Sequence, residues 1–93
     1  MSDAAPLRAR VLVTGVVQGV FFRANCRREA LNRGVVGWVR NNPNGSVEAV
    51  FEGAKPDVDA LVGWMRQGPR LAHIEVADVT VEKPEGLSGF RIL

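Results

Sequence analysis

Ninety-three residues, 46% hydrophobic and 24% charged, are enough for one domain around one core and leave no room for a multidomain enzyme. Twelve Lys+Arg against ten Asp+Glu give a net charge of +2, too small to demand nucleic acid or an anionic membrane, although seven arginines against Asp3 and Glu29 concentrate positive charge in residues 1–40. One cysteine and one histidine exclude a disulfide framework and any Cys/His zinc cluster.

Residues 1–6 read as a short flexible tail without the basic segment and apolar core of a secretory signal. With a lone thiol, this leads us to expect a cytoplasmic protein. No stretch approaches the roughly 18 consecutive apolar residues of a membrane span, so no membrane partner is expected. Leu7, Ala9, Val11 and Val13 alternate with Arg8, Arg10, Leu12 and Thr14, the period of a half-buried strand. Residues 15–20 carry two glycines and no periodicity, which predicts a loop; Phe22, Cys26 and Ala30 then recur every four residues, a helix stopped near Gly34. A second strand over 35–41 sets Val35, Gly37 and Val39 on one face. Asn42-Pro43-Asn44-Gly45 is a turn, and Val47, Ala49 and Phe51 alternating with Ser46, Glu48 and Glu52 complete a hairpin. Pro56 suits a first helical turn, followed by Val58, Leu61, Val62 and Met65 at helical spacing and a stop at Gly68-Pro69. From Ile74 a long strand turns Ala77, Val79 and Val81 inward and Asp78, Thr80 and Glu82 outward, and Phe90 and Ile92 form a short closing strand. The order β-α-β-β-α-β predicts an α+β, ferredoxin-like sandwich over 1–93: an antiparallel sheet with two helices on one face and the other face in water.

Two segments carry candidate chemistry. The loop of Val17, Gln18, Gly19, Val20, Phe21 and Phe22 runs into a helix N-terminus, where unpartnered backbone N–H groups and the helix dipole suit a doubly charged oxyanion. Arg23 in the first turn adds a guanidinium fork, which is electrostatically misplaced at a helix N-terminus unless an anion lies beside it. A glycine turn followed by a solvated arginine fits the same letters. Asn41 is the second anomaly, an amide on the face of Val35, Gly37 and Val39 where alternation calls for an apolar residue. It serves either as a cap on the turn or as an amide that orients a water.

Both segments resemble the acylphosphatase family. Its first signature, Gly-x-Val-Gln-Gly-Val-x-aromatic-Arg, is matched from Gly15 to Arg23. The second, Gly-aromatic-Val-basic-Asn followed by Gly-x-Val and a later Gly, is matched from Gly37 through Asn41, Gly45 and Val47 to Gly53. The resemblance implies hydrolysis of the carboxyl–phosphate bond of small acyl phosphates, without metal or cofactor, by a monomer in which Arg23 binds the phosphate and Asn41 positions the attacking water. Asn42 stands where many members carry threonine. The pair suits that chemistry, because neither an arginine nor an amide transfers protons near neutral pH and an acyl phosphate leaves as a carboxylate that needs no general acid.

The rival reading is an RNA- or small-ligand-binding module of the same architecture, favoured by an isoelectric point of about 9.3. RNA modules stack bases on sheet aromatics. The open face here would offer Arg8, Arg10, Leu12, Glu48, Val50 and Glu52, with no aromatic from either central strand on that face, so no nucleic-acid partner is expected. Cys26 is expected as a buried filler, His73 as a bystander on the surface, and Arg27, Arg28 and Arg33 as a solvated helix face.

Overall fold

A computed structural model describes residues 5–93, so residues 1–4 of the expected tail lie outside the described residues; Ala5 and Pro6 are exposed and irregular. Strand β1 (Leu7–Val16) buries Ala9, Val11 and Val13. Helix α1 (Phe22–Asn32) buries Phe22, Cys26 and Ala30, the residues at four-residue spacing. It ends in a Schellman pattern, with the Val35 N–H donating to Ala30 O at 3.0 Å and the Gly34 N–H to Leu31 O at 3.2 Å. Strands β2 (Val36–Asn41) and β3 (Val47–Gly53) form the hairpin. Helix α2 (Lys55–Gln67) buries Val58, Leu61 and Met65, and strands β4 (His73–Glu82) and β5 (Phe90–Ile92) follow.

The sheet order is β4-β1-β3-β2-β5. The first four strands are antiparallel as expected, but β5 runs parallel to β2, with Gly37 opposite Phe90, so the sheet is mixed rather than wholly antiparallel. A short strand at the end of a long return from β4 has no local sequence signal for its direction. Strand β1 also runs on through Gly15 and Val16, beyond the expected loop boundary, because β4 is long enough to pair with both after a register shift between Thr14 and Gly15. Both helices pack on one face, α2 against β1, β3 and β4 and α1 against β2 and β5. Phe22 meets Trp64 edge-on at 5.3 Å and Phe51 stacks on Phe90 at 5.8 Å, joining helix to helix and sheet centre to sheet edge. Gly37 permits the closest backbone approach: at φ 144° a Cβ there would stand 1.8 Å from the Val50 carbonyl oxygen. Val81, expected to face inward, is 67% exposed, since it lies near the end of an edge strand with sheet neighbours on one side only.

The second sheet face is not left to water. Arg8 and Glu52, opposite each other on β1 and β3, are each 3% exposed and joined at 2.7 Å. The Glu52 carboxylate also accepts backbone N–H bonds from Glu85, Gly86 and Leu87, which fastens the β4–β5 connection across this face and buries Val50. Glu82, far from merely facing outward, takes Arg8 Nε at 2.9 Å and Arg10 Nε at 2.7 Å, and Arg10 continues to Glu48. Burial alone would raise the Glu52 carboxyl, but the bonds from the Glu85 backbone, Arg8 and the Leu87 backbone hold it below the usual carboxylate range. Glu48 is held low in the same sense, against desolvation, by Arg40, Arg10 and Asn42.

Candidate active site

The loop of residues 17–21 joins a strand at the middle of the sheet to α1. Val17 is buried and anchors its start, Gly19 adopts φ 74° at its tip, and Phe22, although named with the loop, is the first residue of α1 and turns its side chain into the core. Among the described residues, no backbone N–H from Gln18 to Phe21 has a hydrogen-bond partner, and the next N–H groups belong to the first turn of α1, which lacks intrahelical acceptors. The first turn holds no acidic residue and no side-chain cap. The Gln18 side chain points away from these donors: its Nε2 donates to Asn42 O at 2.9 Å and Ser46 O at 3.0 Å, bracing the loop against the β2–β3 turn. The loop reading of Gln18 rests on its backbone N–H, which stays without a partner, while its side chain serves as a strut between loop and turn.

Arg23 and Asn41 are brought together. They line one cavity of about 370 Å³ with Val17, Gly19, Phe21, Phe22, Ala24 and Ile92. Arg23 is half-buried and has no carboxylate partner among the described residues. Val20, the remaining loop residue, is half-buried and packs against the core. Ile92 was read only as strand, although the alternation that turns Phe90 inward puts Ile92 on the same face, at the cavity.

The alternative role of Asn41 as a turn cap is filled by its neighbours. Asn44 Oδ1 accepts the Ser46 N–H at 3.0 Å and the Ser46 hydroxyl at 2.6 Å, while Asn42 Nδ2 donates to Ser46 Oγ at 3.0 Å. Asn42, the departure from threonine, is thus fixed at the turn entry, where its carbonyl also receives Gln18 and the Gly45 N–H. The Asn41 amide oxygen is shielded from solvent and has no partner. A buried acceptor left unmade costs about 1–3 kcal/mol, so such a group in a cavity beside unpartnered N–H groups is fitted to accept a hydrogen bond from something that enters.

The remaining candidates are structural. Cys26 is buried, and desolvation, with Glu29 adding to it, pushes its thiol well up, which makes it inert as a nucleophile. His73 is exposed at the start of β4. The basic residues of α1 are not simply solvated: Arg27 Nε donates to Phe90 O at 3.0 Å, Arg28 to Asn25 Oδ1, and Arg33 reaches Asp57 at 3.4 Å. On the far sheet face the aromatic Trp38 comes from the flanking strand β2, with the Arg10 and Arg40 guanidiniums 5.5 and 5.1 Å from its ring centre. Both guanidiniums are themselves paired, Arg10 with Glu48 and Glu82 and Arg40 with Glu48, so among the described residues no unpaired basic group lies over the ring as on an RNA stacking platform. Among the described residues no helix is long and apolar enough to cross a membrane.

The acylphosphatase family model matches residues 9–92. An acylphosphatase of Gloeobacter violaceus is 53% identical over 90 residues, covering 97% of both chains. Among solved structures, an acylphosphatase from Coxiella burnetii superposes with a TM-score of 0.92 at 33% identity over the whole of both chains. One from Bacillus subtilis does so at 0.89 and 34%, covering 94% of this chain and 98% of its own.

Proposed function

The chain belongs to the acylphosphatase family, and on that premise we propose that it hydrolyses acyl phosphates at the cavity between Arg23 and Asn41. In this reading the substrate phosphate sits on the N–H groups of residues 18–22 and the Arg23 fork, which neutralise its two negative charges and relieve the mismatch of a cation at a helix N-terminus. Asn41 Oδ1 accepts a hydrogen bond from a water and so aims the lone pair of the water oxygen at phosphorus. The new bond forms from water oxygen to phosphorus while the phosphorus–oxygen bond to the acyl group breaks, and the carboxylate departs with the electron pair. Both protons of the water end on the phosphate, giving carboxylate and dihydrogen phosphate. Alignment and charge stabilisation suffice for an activated phosphoryl group, so no general acid, metal or cofactor enters the scheme.

The observation that carries this reading is the solvent-shielded, unpartnered Asn41 oxygen in the cavity lined by Arg23. The proposal covers a single domain acting as a monomer in the cytoplasm, where a buried lone thiol is at home. It is tested by following hydrolysis of an aromatic acyl phosphate with and without a chelator. Chelator-resistant turnover that vanishes in Arg23→Ala supports it; absence of turnover returns the chain to a ligand-binding role.

A further inference from the structure

Strands β1, β2 and β5 place Arg8, Arg10, Arg40 and Arg91 on the far face of the sheet. The first three have glutamate partners, whereas Arg91 has no carboxylate partner among the described residues. The parallel pairing of β2 and β5 sets Arg91 directly opposite Trp38. An arginine within reach of an indole is attracted to its face, yet the guanidiniums over Trp38 are those of Arg10 and Arg40, and Arg91 stays exposed. Ring and free fork instead line a second cavity, of about 380 Å³, completed by the connection at Leu87 and Ser88. That connection is held on two sides. Glu52 accepts the N–H groups of Gly86 and Leu87, both at 3.1 Å, and the Gly37 N–H donates to Gly89 O at 2.9 Å, so the cavity wall is tied to β3 and to β2. No residue of this lining belongs to the cavity of Arg23 and Asn41.

We propose that this second cavity binds a flat aromatic carboxylate, its ring against Trp38 and its carboxylate on the Arg91 fork. The planar guanidinium matches a carboxylate through two parallel N–H bonds, and an indole prefers an offset or edge-on aromatic partner. Arg91 is the only charged side chain of the lining, which suits a single negative charge; a phosphate dianion leaves one charge without a counter-ion. Leu87 and Leu93 give the rest of the ring apolar surface, and a preformed hollow of this size with one convergent charge is the form of a small-molecule site. Binding there is independent of the hydrolysis chemistry.

The test titrates the full chain with 2-naphthoate and follows the indole N–H signals by NMR. Trp38→Phe identifies the Trp38 signal by removing it, and Trp64, packed edge-on against Phe22, is the internal control. The Trp38 signal is expected to shift to saturation while that of Trp64 stays, with Kd rising about tenfold in Arg91→Ala and less in Arg91→Lys. Arg91 is exposed on an edge strand, so its replacement removes no core contact. The uncharged 2-naphthylmethanol should bind the wild type about tenfold more weakly than 2-naphthoate, and the 2-naphthoate curve should be unchanged in Arg23→Ala. A Trp38 signal that does not move, a curve that Arg91→Ala leaves in place, or equal binding of the alcohol overturns the site. A curve lost in Arg23→Ala puts the probe in the other cavity and overturns it equally.

Discussion

The two faces of the sheet use the same side chain in opposite ways. On the far face Arg8 and Arg10 are matched by Glu48, Glu52 and Glu82, and even the backbone N–H groups of residues 85–87 find a carboxylate. At the end of the helical face, Arg23 has no carboxylate partner among the described residues, a run of N–H groups is free, Asn41 Oδ1 is buried and unmade, and Phe21 is strained in a left-handed backbone. A cation whose partners are complete holds strands in register; in the proposed reading Arg23, left incomplete beside other incomplete groups, is completed by the substrate phosphate.

The hardest attempt to break this contrast is Arg23→Ala, which should lower kcat/KM by on the order of 10³ and abolish inhibition by phosphate, as removal of a preorganised charge stabiliser does. Arg23→Lys should fail nearly as badly, because an ammonium cannot reproduce the fork. A lysine variant with near wild-type kinetics would reduce Arg23 to a point charge. Asn41→Ala should lower kcat by on the order of 10² through misplacement of the water while phosphate still inhibits at its wild-type constant. Because its oxygen has no partner to lose, the same variant should unfold at or above the wild-type temperature, a result opposite to that for a turn cap.

On the satisfied face the signature reverses. Glu52→Ala leaves three backbone donors unpaired and takes from the buried Arg8 guanidinium one of its carboxylates, Glu82 remaining, and should cost about 3 kcal/mol in denaturant unfolding. A smaller and more gradual effect follows from pH. Glu48, Glu52 and Glu82 have carboxyls held below their ordinary value in the folded chain, so the stability they contribute is complete above the unfolded carboxylate range, about pH 4.3, and drains away as pH falls through the lower folded values. Thermal melts between pH 7 and 3 should show a plateau and then a steep decline; a flat profile down to pH 3 would mean that the network adds no net stability.

Local order was legible where local physics decides it. Phe22, Cys26 and Ala30, or Val58, Leu61 and Met65, can bury one helical stripe in only one way, and the two glycine-bearing signatures locate Arg23 and Asn41 directly. What escaped depends on partners far along the chain. Glu52 reads as an outward strand residue until Arg8, 44 residues away, and the loop at 85–87 fold onto it, and nothing near Phe90 reveals that β5 lies parallel to β2. Phe21 escaped for a different reason: propensity rules argue against an aromatic in a left-handed conformation, so the rules mark the site only by failing there.

The Gln18 strut has one more consequence. Its two bonds cross 24 and 28 residues of sequence to tie the anion loop to the turn that follows Asn41, so the halves of the cavity share one mechanical frame. Two such bonds restrain the distance between loop and turn. If the strut preassembles the cavity, an Arrhenius plot of kcat should stay straight up to the melting transition and bend earlier in Gln18→Ala.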